Sequence, residues 1–356
     1  MYPLPEGSFA PRNQWYVIAW SDEITRDPIE RWVLDEPIAL YRKEDGSPVA
    51  LQGRCPHRHF PLGKSRVVGD DVECGYHGIT FAPDGQCVRI PSQAVVPSVC
   101  RVKSYPIVEK WKWIWMWPGD PALADESMIP DHEAAGLSDP SYTVATADRV
   151  HVPGRYHLMH DNLFDLTHLA YLHQSTIGAG GADICNVQEK RAHQDDWISS
   201  ERVAQDVPCP PYFETAFQYK GGVRRRFGMK LHLPCLHVGF DDFSKPDGEK
   251  LGNVRVYHAI TPATKHTAHY FFALGRDFAT EDEGLTQAMM AGIMPTIEED
   301  MFATQEIERI IQGLGEAPPE ILIRADATCV QGRRLFEAMI RREKDPEPTD
   351  KAATAA

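Results

Sequence analysis

The chain has 356 residues, enough for two domains, and its 42% hydrophobic content is that of an ordinary globular protein. The formal net charge is −14 and the longest basic run is residues 224–226, which disfavours nucleic acid and anionic membranes as partners. No apolar run reaches the roughly 18–20 residues of a membrane span, and the N-terminus does not read as a secretory leader. The eight cysteines are scattered, which predicts a cytoplasmic protein whose thiols are reduced or bound to metal.

The first third of the chain is rich in short strand-type runs separated by turn residues. Residues 15–19, 38–41 and 49–52 are such runs, and in residues 111–117 tryptophan occupies every second position, as in a strand. This part predicts a small all-β unit that ends near residue 118. Residues 118–142 predict a connecting segment, because they are heavy in Pro, Asp and Ala.

Two short cysteine and histidine motifs stand within this β-rich part. Cys55-Pro-His57 is followed, after sixteen residues, by Cys74-Gly-Tyr-His77. A structural zinc site also uses two Cys and two His, so zinc is the alternative. Zinc motifs usually pair like with like, whereas each motif here offers one Cys and one His. That mixture favours a [2Fe-2S] cluster of the Rieske kind, in which two Cys hold one iron and two His hold the other.

Residues 162–173, NLFDLTHLAYLH, place leucine and phenylalanine on every side of a helical wheel. This pattern predicts a helix beginning near residue 161 and buried all round, so that Asp165, His168 and His173 are buried with it. Two His and a carboxylate form the binding set of non-haem Fe(II) oxygenases. Five residues separate the two His, or about 140° on a regular helix. We therefore predict an irregularity around residues 169–172.

The remaining chain predicts strands between about 197 and 275 and two helices, around 281–312 and 331–344. The last residues, 346–356, form a polar and disordered tail in this interpretation.

With CPHRHFPL, CGYHGITF and the spacing Asn-x2-Asp-x2-His-x4-His, the sequence resembles the oxygenase component of Rieske non-haem iron oxygenases. The resemblance covers nearly the whole chain and is to the short oxygenases typified by vanillate O-demethylase, toluenesulfonate methyl-monooxygenase and dicamba O-demethylase. It implies an α+β protein with an N-terminal all-β Rieske [2Fe-2S] domain, residues 1–118. The implied catalytic domain, residues 119–345, has an antiparallel sheet wrapped by helices.

The resemblance also implies a set of site residues. The cluster ligands are then Cys55, His57, Cys74 and His77, and the mononuclear iron is bound by His168, His173 and Asp300. Asn162 and Asp165 complete the signature as catalytic residues. Asp165 is expected to bridge His168 to His77 of a neighbouring subunit, which implies a homotrimer.

The third iron ligand is less firmly placed by the sequence. Asp300 ends the run Glu298-Glu299-Asp300 and shares a helical face with Ile297. The family pattern selects Asp300, although its usual Glu five residues later is a glutamine here, at position 305. Glu299 is therefore the alternative ligand, and Glu298 is interpreted as a solvated surface charge.

The implied activity is oxidation of the methyl carbon of a methoxylated or methylated aromatic acid, most simply O-demethylation with release of formaldehyde. NADH would supply electrons through a flavin and iron–sulfur reductase or a ferredoxin, and O2 would be the co-substrate. An acidic surface favours a partner with a basic patch. Ring hydroxylation or N-demethylation is the alternative within the class. An electron-transfer protein with no catalytic iron is the alternative outside it.

Two candidate substrate contacts follow from the sequence. His258 resembles a position that contacts the acid group of the substrate in the family, although a sheet histidine bonded to backbone is an equal alternative. One arginine of residues 224–226 would bind an anion if it pointed inward, and strand alternation sets Arg225 opposite to its neighbours.

Overall fold

The computed structural model describes residues 8–174, Ile177, residues 186–315 and residues 318–344. The predicted tail, residues 346–356, lies outside the described residues. None of the described helices has the length and apolar character needed to cross a membrane.

Three small antiparallel sheets build the N-terminal part. The first orders its strands β1 (Tyr16–Trp20), β10 (Trp113–Met116) and β9 (Ile107–Lys110). The second contains β2 (Ile29–Val33), β3 (Glu36–Arg42) and β4 (Pro48–Gln52). The third contains β5 (Arg66–Val68), β6 (Asp71–Glu73), β7 (Thr80–Phe81) and β8 (Cys87–Arg89). Single turns of 3-10 helix, Ser21–Glu23 and Leu62–Lys64, lie between strands.

The tryptophan-rich run is a shorter strand than its sequence suggests, and it is buried on both faces. Trp111 has a φ of 57° in the turn between β9 and β10, so the strand begins only at Trp113. Ile114 and Met116, which alternate with the tryptophans, are as fully buried as they are. The sheet is therefore covered on both sides rather than wet on one.

The C-terminal part is one eight-stranded antiparallel sheet with helices packed against it. Two 3-10 turns, Pro121–Leu123 and Glu126–Met128, precede it. Its strands are β11 (Thr143–Thr146), β12 (Val150–Val152), β13 (Glu189–His193), β14 (Trp197–Pro208), β15 (Gly222–His232), β16 (Leu236–Ser244), β17 (Lys250–Thr264) and β18 (Thr267–Arg276). The described helices are α1 (Tyr156–Phe164), α2 (Pro211–Phe217), α3 (Glu283–Gly313) and α4 (Ala327–Lys344). This antiparallel sheet with helices, joined to an all-β N-terminal part, confirms the predicted α+β class.

Two large hydrophobic cores and a small cluster, Leu166, Leu169, Ala204 and Phe227, form the interior of the described residues. The larger core runs from β1 and β10 without interruption into the large sheet and α1. The amides of Leu34 and Asp35 also donate to the carbonyls of Pro262 and Ala263, joining the turn after β2 to the end of β17. The smaller core surrounds the cysteines of the two sequence motifs. The first and last strands of the N-terminal part are therefore packed as part of the C-terminal core.

Candidate active site

The two cysteine and histidine motifs form a pair of loops with the same backbone geometry. In each loop the cysteine amide donates to the carbonyl five residues later, and the cysteine carbonyl accepts from the amide four residues later. The fourth residue after each cysteine has a positive φ, 60° at His59 and 69° at Gly78. The four bonds are Cys55 N to Phe60 O (2.9 Å), His59 N to Cys55 O (2.9 Å), Cys74 N to Ile79 O (2.8 Å) and Gly78 N to Cys74 O (2.9 Å). The two loops therefore share one backbone frame, which places Cys55 and Cys74 at equivalent positions.

The side chains of these loops fit a Rieske cluster. Cys55 and Cys74 are buried, whereas His57 and His77 are exposed, with ring centroids 4.6 Å apart. Two sulfurs inside and two imidazoles outside match a cluster whose inner iron takes Cys and whose outer iron takes His. Burial raises the pKa of the Cys55 thiol to about 11. Metal binding reverses this, because the thiolate is the ligand.

The segment 162–173 is not one continuous helix. Helix α1 begins at Tyr156, earlier than predicted, and ends at Phe164. Asp165, with φ −90° and ψ 81°, breaks it and caps a 3-10 helix, Leu166–Ala170, by accepting from Thr167 N (3.0 Å) and Oγ1 (2.6 Å). An irregularity therefore does separate the two histidines from regular α-helix. A first break lies at Asp165, before the predicted range, and the 3-10 helix then ends at Ala170, within the predicted residues 169–172.

Burial of this segment is also less complete than predicted. His173 is fully buried, but the side chain of His168 is 19% exposed and Asp165 is half-buried. Tyr171 is 73% exposed. The prediction of a helix buried all round was wrong, because the apolar residues are shared between two short helices of different pitch, and one side of the segment faces solvent.

His168, His173 and Asp300 converge on one point from the 3-10 helix, the following turn and α3. The two Nε2 atoms are 3.1 Å apart, and Asp300 Oδ1 lies 3.0 Å from that of His173 and 3.5 Å from that of His168. Ligands about 2.0–2.2 Å from a metal and at right angles to one another are about 3 Å apart. The three atoms thus fit one face of an iron coordination sphere.

Each of the three groups is held from behind by another residue. His168 Nδ1 donates to the main-chain oxygen of Asp165 (2.5 Å), and His173 Nδ1 to Glu299 Oε2 (2.7 Å). Because both acceptors take the proton on Nδ1, both histidines present the Nε2 lone pair to the metal. Asn162 Nδ2 donates to Asp300 Oδ1 (2.9 Å).

The pKa values of the two histidines shift in opposite directions. Burial lowers the pKa of His168. Burial also acts to lower the pKa of His173, but hydrogen bonds and charges from Asp300 and Glu299 outweigh it and leave the pKa raised. Glu299, the alternative ligand, thus contacts the outer nitrogen of His173 in this structure, and Glu298 is exposed as predicted.

The carboxylate of Asp165 does not contact His168 as expected. Within the described residues the carboxylate accepts from Thr167 Oγ1, and the main-chain oxygen of Asp165 accepts from His168 Nδ1. Any bridge to His77 therefore involves a second copy of the chain and the half-buried carboxylate.

A narrow cavity of about 100 Å³ opens beside the three metal-binding atoms. Its wall is predominantly apolar and is made by Leu163, Leu166, Leu169, Ile177, Phe227, Met229, Val256, Phe272, Ile293 and Ile297. His258, Arg225 and Asp241 are polar residues of the wall. His258 Nδ1 contacts the Tyr270 hydroxyl (2.5 Å), and no described residue bonds its Nε2. Burial lowers the pKa of His258 to about 4.

Of the three consecutive arginines, Arg225 points inward. It is 3% exposed and forms a two-point pair with Asp241, with Nε to Oδ1 at 2.9 Å and Nη2 to Oδ2 at 2.6 Å. Arg224 is exposed, and Arg226 pairs with acidic residues outside the cavity. The sequence did not identify Asp241 and Tyr270 as site residues, because only the register of the sheet brings them to Arg225 and His258.

A Rieske-type loop pair and a two-histidine, one-aspartate iron site beside an apolar cavity define the oxygenase component of a Rieske non-haem iron system. The family comparisons agree. Residues 14–106 match the Rieske [2Fe-2S] domain, and residues 152–342 match the vanillate O-demethylase oxygenase C-terminal domain. The chain belongs to this family of oxygenases.

Relatives with assigned activities cover nearly the whole chain. The iron–sulfur subunit TsaM1 of the toluene-4-sulfonate monooxygenase system of Comamonas testosteroni is 34% identical over 93% of this chain and 97% of its own. The oxygenase component of dicamba O-demethylase from Stenotrophomonas maltophilia is 33% identical over 92% and 97%. The crystal structure of dicamba monooxygenase bound to 3,6-dichlorosalicylic acid superposes with a TM-score of 0.86 at 30% identity, covering 94% of this chain and 98% of that one.

Proposed function

We propose that this oxygenase oxidises the methyl carbon of a methoxylated aromatic acid and releases the methyl group as formaldehyde. The observation that carries the proposal is the apolar cavity with His168, His173 and Asp300 on its wall. Oxygen inserted into a methoxy C–H bond gives a hemiacetal, which collapses to a phenol and formaldehyde. The dicamba O-demethylase component, which aligns with this chain over nearly its full length, supports this choice.

The size and lining of the cavity favour a single-ring substrate. A cavity of about 150 Å³ accepts benzene, and the space here, about 100 Å³, is smaller than that and well below the ~300 Å³ at which pockets for drug-sized ligands begin. A substituted single ring therefore fits with a small displacement of the wall. The apolar wall suits the faces of one ring. A fused-ring substrate would require a larger displacement.

His258 is the proposed contact for the acid group. Its low pKa keeps it neutral near pH 7, and the Tyr270 hydroxyl on Nδ1 leaves Nε2–H to donate into the cavity. The charge of Arg225 is already matched by Asp241. We therefore assign carboxylate recognition to His258, and to Arg225 a structural role in the wall.

The proposed metal roles follow the geometry. When bound, the cluster and the iron supply electron relay from an NADH-dependent reductase or ferredoxin and activation of O2. Cys55, His57, Cys74 and His77 would hold the cluster, and His168, His173 and Asp300 the iron. Asn162 would orient Asp300 through its 2.9 Å hydrogen bond, as a positioning residue.

A turnover assay tests the reaction. The iron-loaded protein, a surrogate reductase and NADH are incubated with methoxy-, methyl- and unsubstituted benzoates and with toluene-4-sulfonate, and formaldehyde and hydroxylated products are measured. We expect formaldehyde in proportion to methoxy groups lost. Hydroxymethyl product from the sulfonate alone would assign the chain to the chemistry of its sulfonate-oxidising relative instead.

A substitution at His258 tests acid recognition. We expect His258→Gln to raise KM for a carboxylated substrate by about tenfold, the scale of one hydrogen bond to a charged group, with a smaller change in kcat. His193→Gln, at an exposed strand position, is the matched control. Equal KM values for the two variants would remove His258 from substrate binding.

A further inference from the structure

Two cysteines outside the cluster motifs face each other next to the cluster. Gln86 forms an antiparallel bridge with Arg101, so the next opposed pair in that register is Cys87 and Cys100. Directly opposed residues of antiparallel strands have Cα atoms about 4.5–5.5 Å apart, within the ~4.4–6.8 Å that a disulfide spans. The backbone register therefore places the two residues at disulfide distance.

The side chains agree with the backbone. Both side chains pack against the small core that contains Cys55 and Cys74, and the Cys87 thiol donates to the carbonyl of Arg89 at 3.6 Å. Phe81, opposite Cys87 on the other neighbouring strand, belongs to the same core, as expected for side chains on one face. Both thiols are partly exposed, so a small oxidant can reach them.

We propose that Cys87 and Cys100 are a reversible thiol–disulfide site that links β8 to the segment before Val102 when the protein meets peroxide. Hydrogen peroxide is the oxidant, and it is the product when O2 takes two electrons and two protons without substrate. One sulfur attacks a peroxide oxygen, the O–O bond breaks, and a sulfenic acid and one water form. The other sulfur displaces the second water, so two thiols lose two electrons and two protons, and peroxide becomes two waters.

The link would act on the second cluster loop. Residues 88–99, between the two cysteines, include Pro91, whose Cγ lies only 3.0 Å from where a Cβ on Gly78 would be. Gly78 follows the proposed cluster ligand His77. Closing this loop with a covalent bond limits its unfolding and so the opening of the cluster loop. The inference depends on the Rieske domain and not on the proposed substrate.

Reaction of these thiols is expected to be slow at low peroxide. Burial raises the pKa of Cys87 to about 11, so little thiolate exists near neutral pH.

Peptide mapping tests the proposal. Cluster-loaded protein is treated with graded hydrogen peroxide, alkylated and digested without reductant, and cross-linked peptides are identified by mass. We expect a Cys87–Cys100 cross-link that a phosphine reductant removes. Release of iron to a chelator should then be about tenfold slower than from the reduced protein. Free, alkylated Cys87 and Cys100 after peroxide, or linkage of either to Cys55, would overturn the proposal.

Variants separate the link from general oxidation. Cys100→Ser should show no cross-link and no slower iron release after peroxide, whereas Cys209→Ser, a buried cysteine of the C-terminal core, should behave as the unmodified chain. Slower release in Cys100→Ser as well would contradict the role of the disulfide. The cross-link in the unmodified chain is measured independently of how either variant folds.

Discussion

At the scale of single residues, the orientation of the two histidines at the iron site depends on the groups that accept from their Nδ1 atoms. Glu299 accepts from His173 Nδ1 at 2.7 Å and is 30% exposed, and it fixes which nitrogen faces the metal. Loss of such a partner typically weakens metal binding by about 10- to 100-fold. We expect Glu299→Gln to do so, measured as iron retained against a graded chelator.

Glu298 provides the matched control for this experiment. It precedes Glu299 on α3 but is exposed, so Glu298→Gln removes the same charge without touching His173. We expect its iron affinity to be unchanged. Equal losses in both variants would show that net charge near the site, and not the tautomer of His173, sets the affinity.

Asp165 is expected to affect electron transfer more than metal binding. An asparagine oxygen can still accept from Thr167 and cap the 3-10 helix, so Asp165→Asn should keep both His168 and the cluster in place. The other carboxylate oxygen becomes an NH2 donor, which removes the proposed acceptor for His77 of the next subunit. We expect iron content near three per chain and a collapse in cluster reoxidation, followed by stopped-flow absorbance. Unchanged reoxidation would refute the bridge.

At the scale of elements, one buried ion pair fastens α1 to α3. The Arg155 guanidinium donates to both oxygens of Glu308, which also accepts from Gln312 and His266 at 2.9 Å each. Burial alone would raise the pKa of Glu308, but these donors outweigh it and lower the pKa to about 2. The carboxylate therefore stabilises the folded chain in its charged form.

The pH dependence of stability follows from this pKa. Because the folded value is below the unfolded value of about 4.5, the contribution is complete above pH 4.5 and is lost as pH falls towards 2. The shift corresponds to about 3 kcal/mol. We expect Glu308→Gln to lower the free energy of unfolding at pH 7 by about that amount and to flatten its decline in acid, measured by urea denaturation.

Glu306→Gln is the control for that measurement. Glu306 pairs with Arg309 on the exposed face of the same helix, where such a pair contributes less than about 1 kcal/mol. A loss at Glu306 equal to that at Glu308 would mean that α3 responds to its total charge rather than to the buried pair.

Some features of these elements could be predicted from the sequence and others could not. Metal-binding spacing is local, so it predicted the paired loops at Cys55 and Cys74 and the non-α geometry before His173. The additional break at Asp165 was not predicted, because it depends on the Asp165 carboxylate accepting from Thr167 as a helix cap. The partners Glu299 and Asp241 lie 126 and 16 residues from the groups they hold. They depend on helix placement and strand register, which composition and periodicity do not specify.

At the scale of the whole molecule, the exposed surfaces of the two metal sites suggest how copies assemble. His57 and His77 are exposed at the tip of the cluster loops, beside the exposed Arg54 and Arg58. The other surface combines the half-buried Asp165 with large exposed apolar side chains, namely Tyr171, Ile321, Leu322 and Ile323. A contact between two different surfaces of neighbouring copies is heterologous, and it forms a ring where the rotation between copies closes. We therefore keep the homotrimer as the proposed assembly.

Mixed assemblies test whether electrons cross between chains. His77→Ala removes a proposed cluster ligand but leaves the iron site, and Asp300→Ala does the reverse, so each variant alone should be inactive. In rings assembled from equal amounts, half of the chains keep the iron site, and half of those have a neighbour with a cluster. Turnover should therefore recover to about one quarter of the unmodified activity if transfer passes between subunits in one direction. If electrons instead move within one chain, the mixture stays inactive, and the homotrimer loses its functional reason.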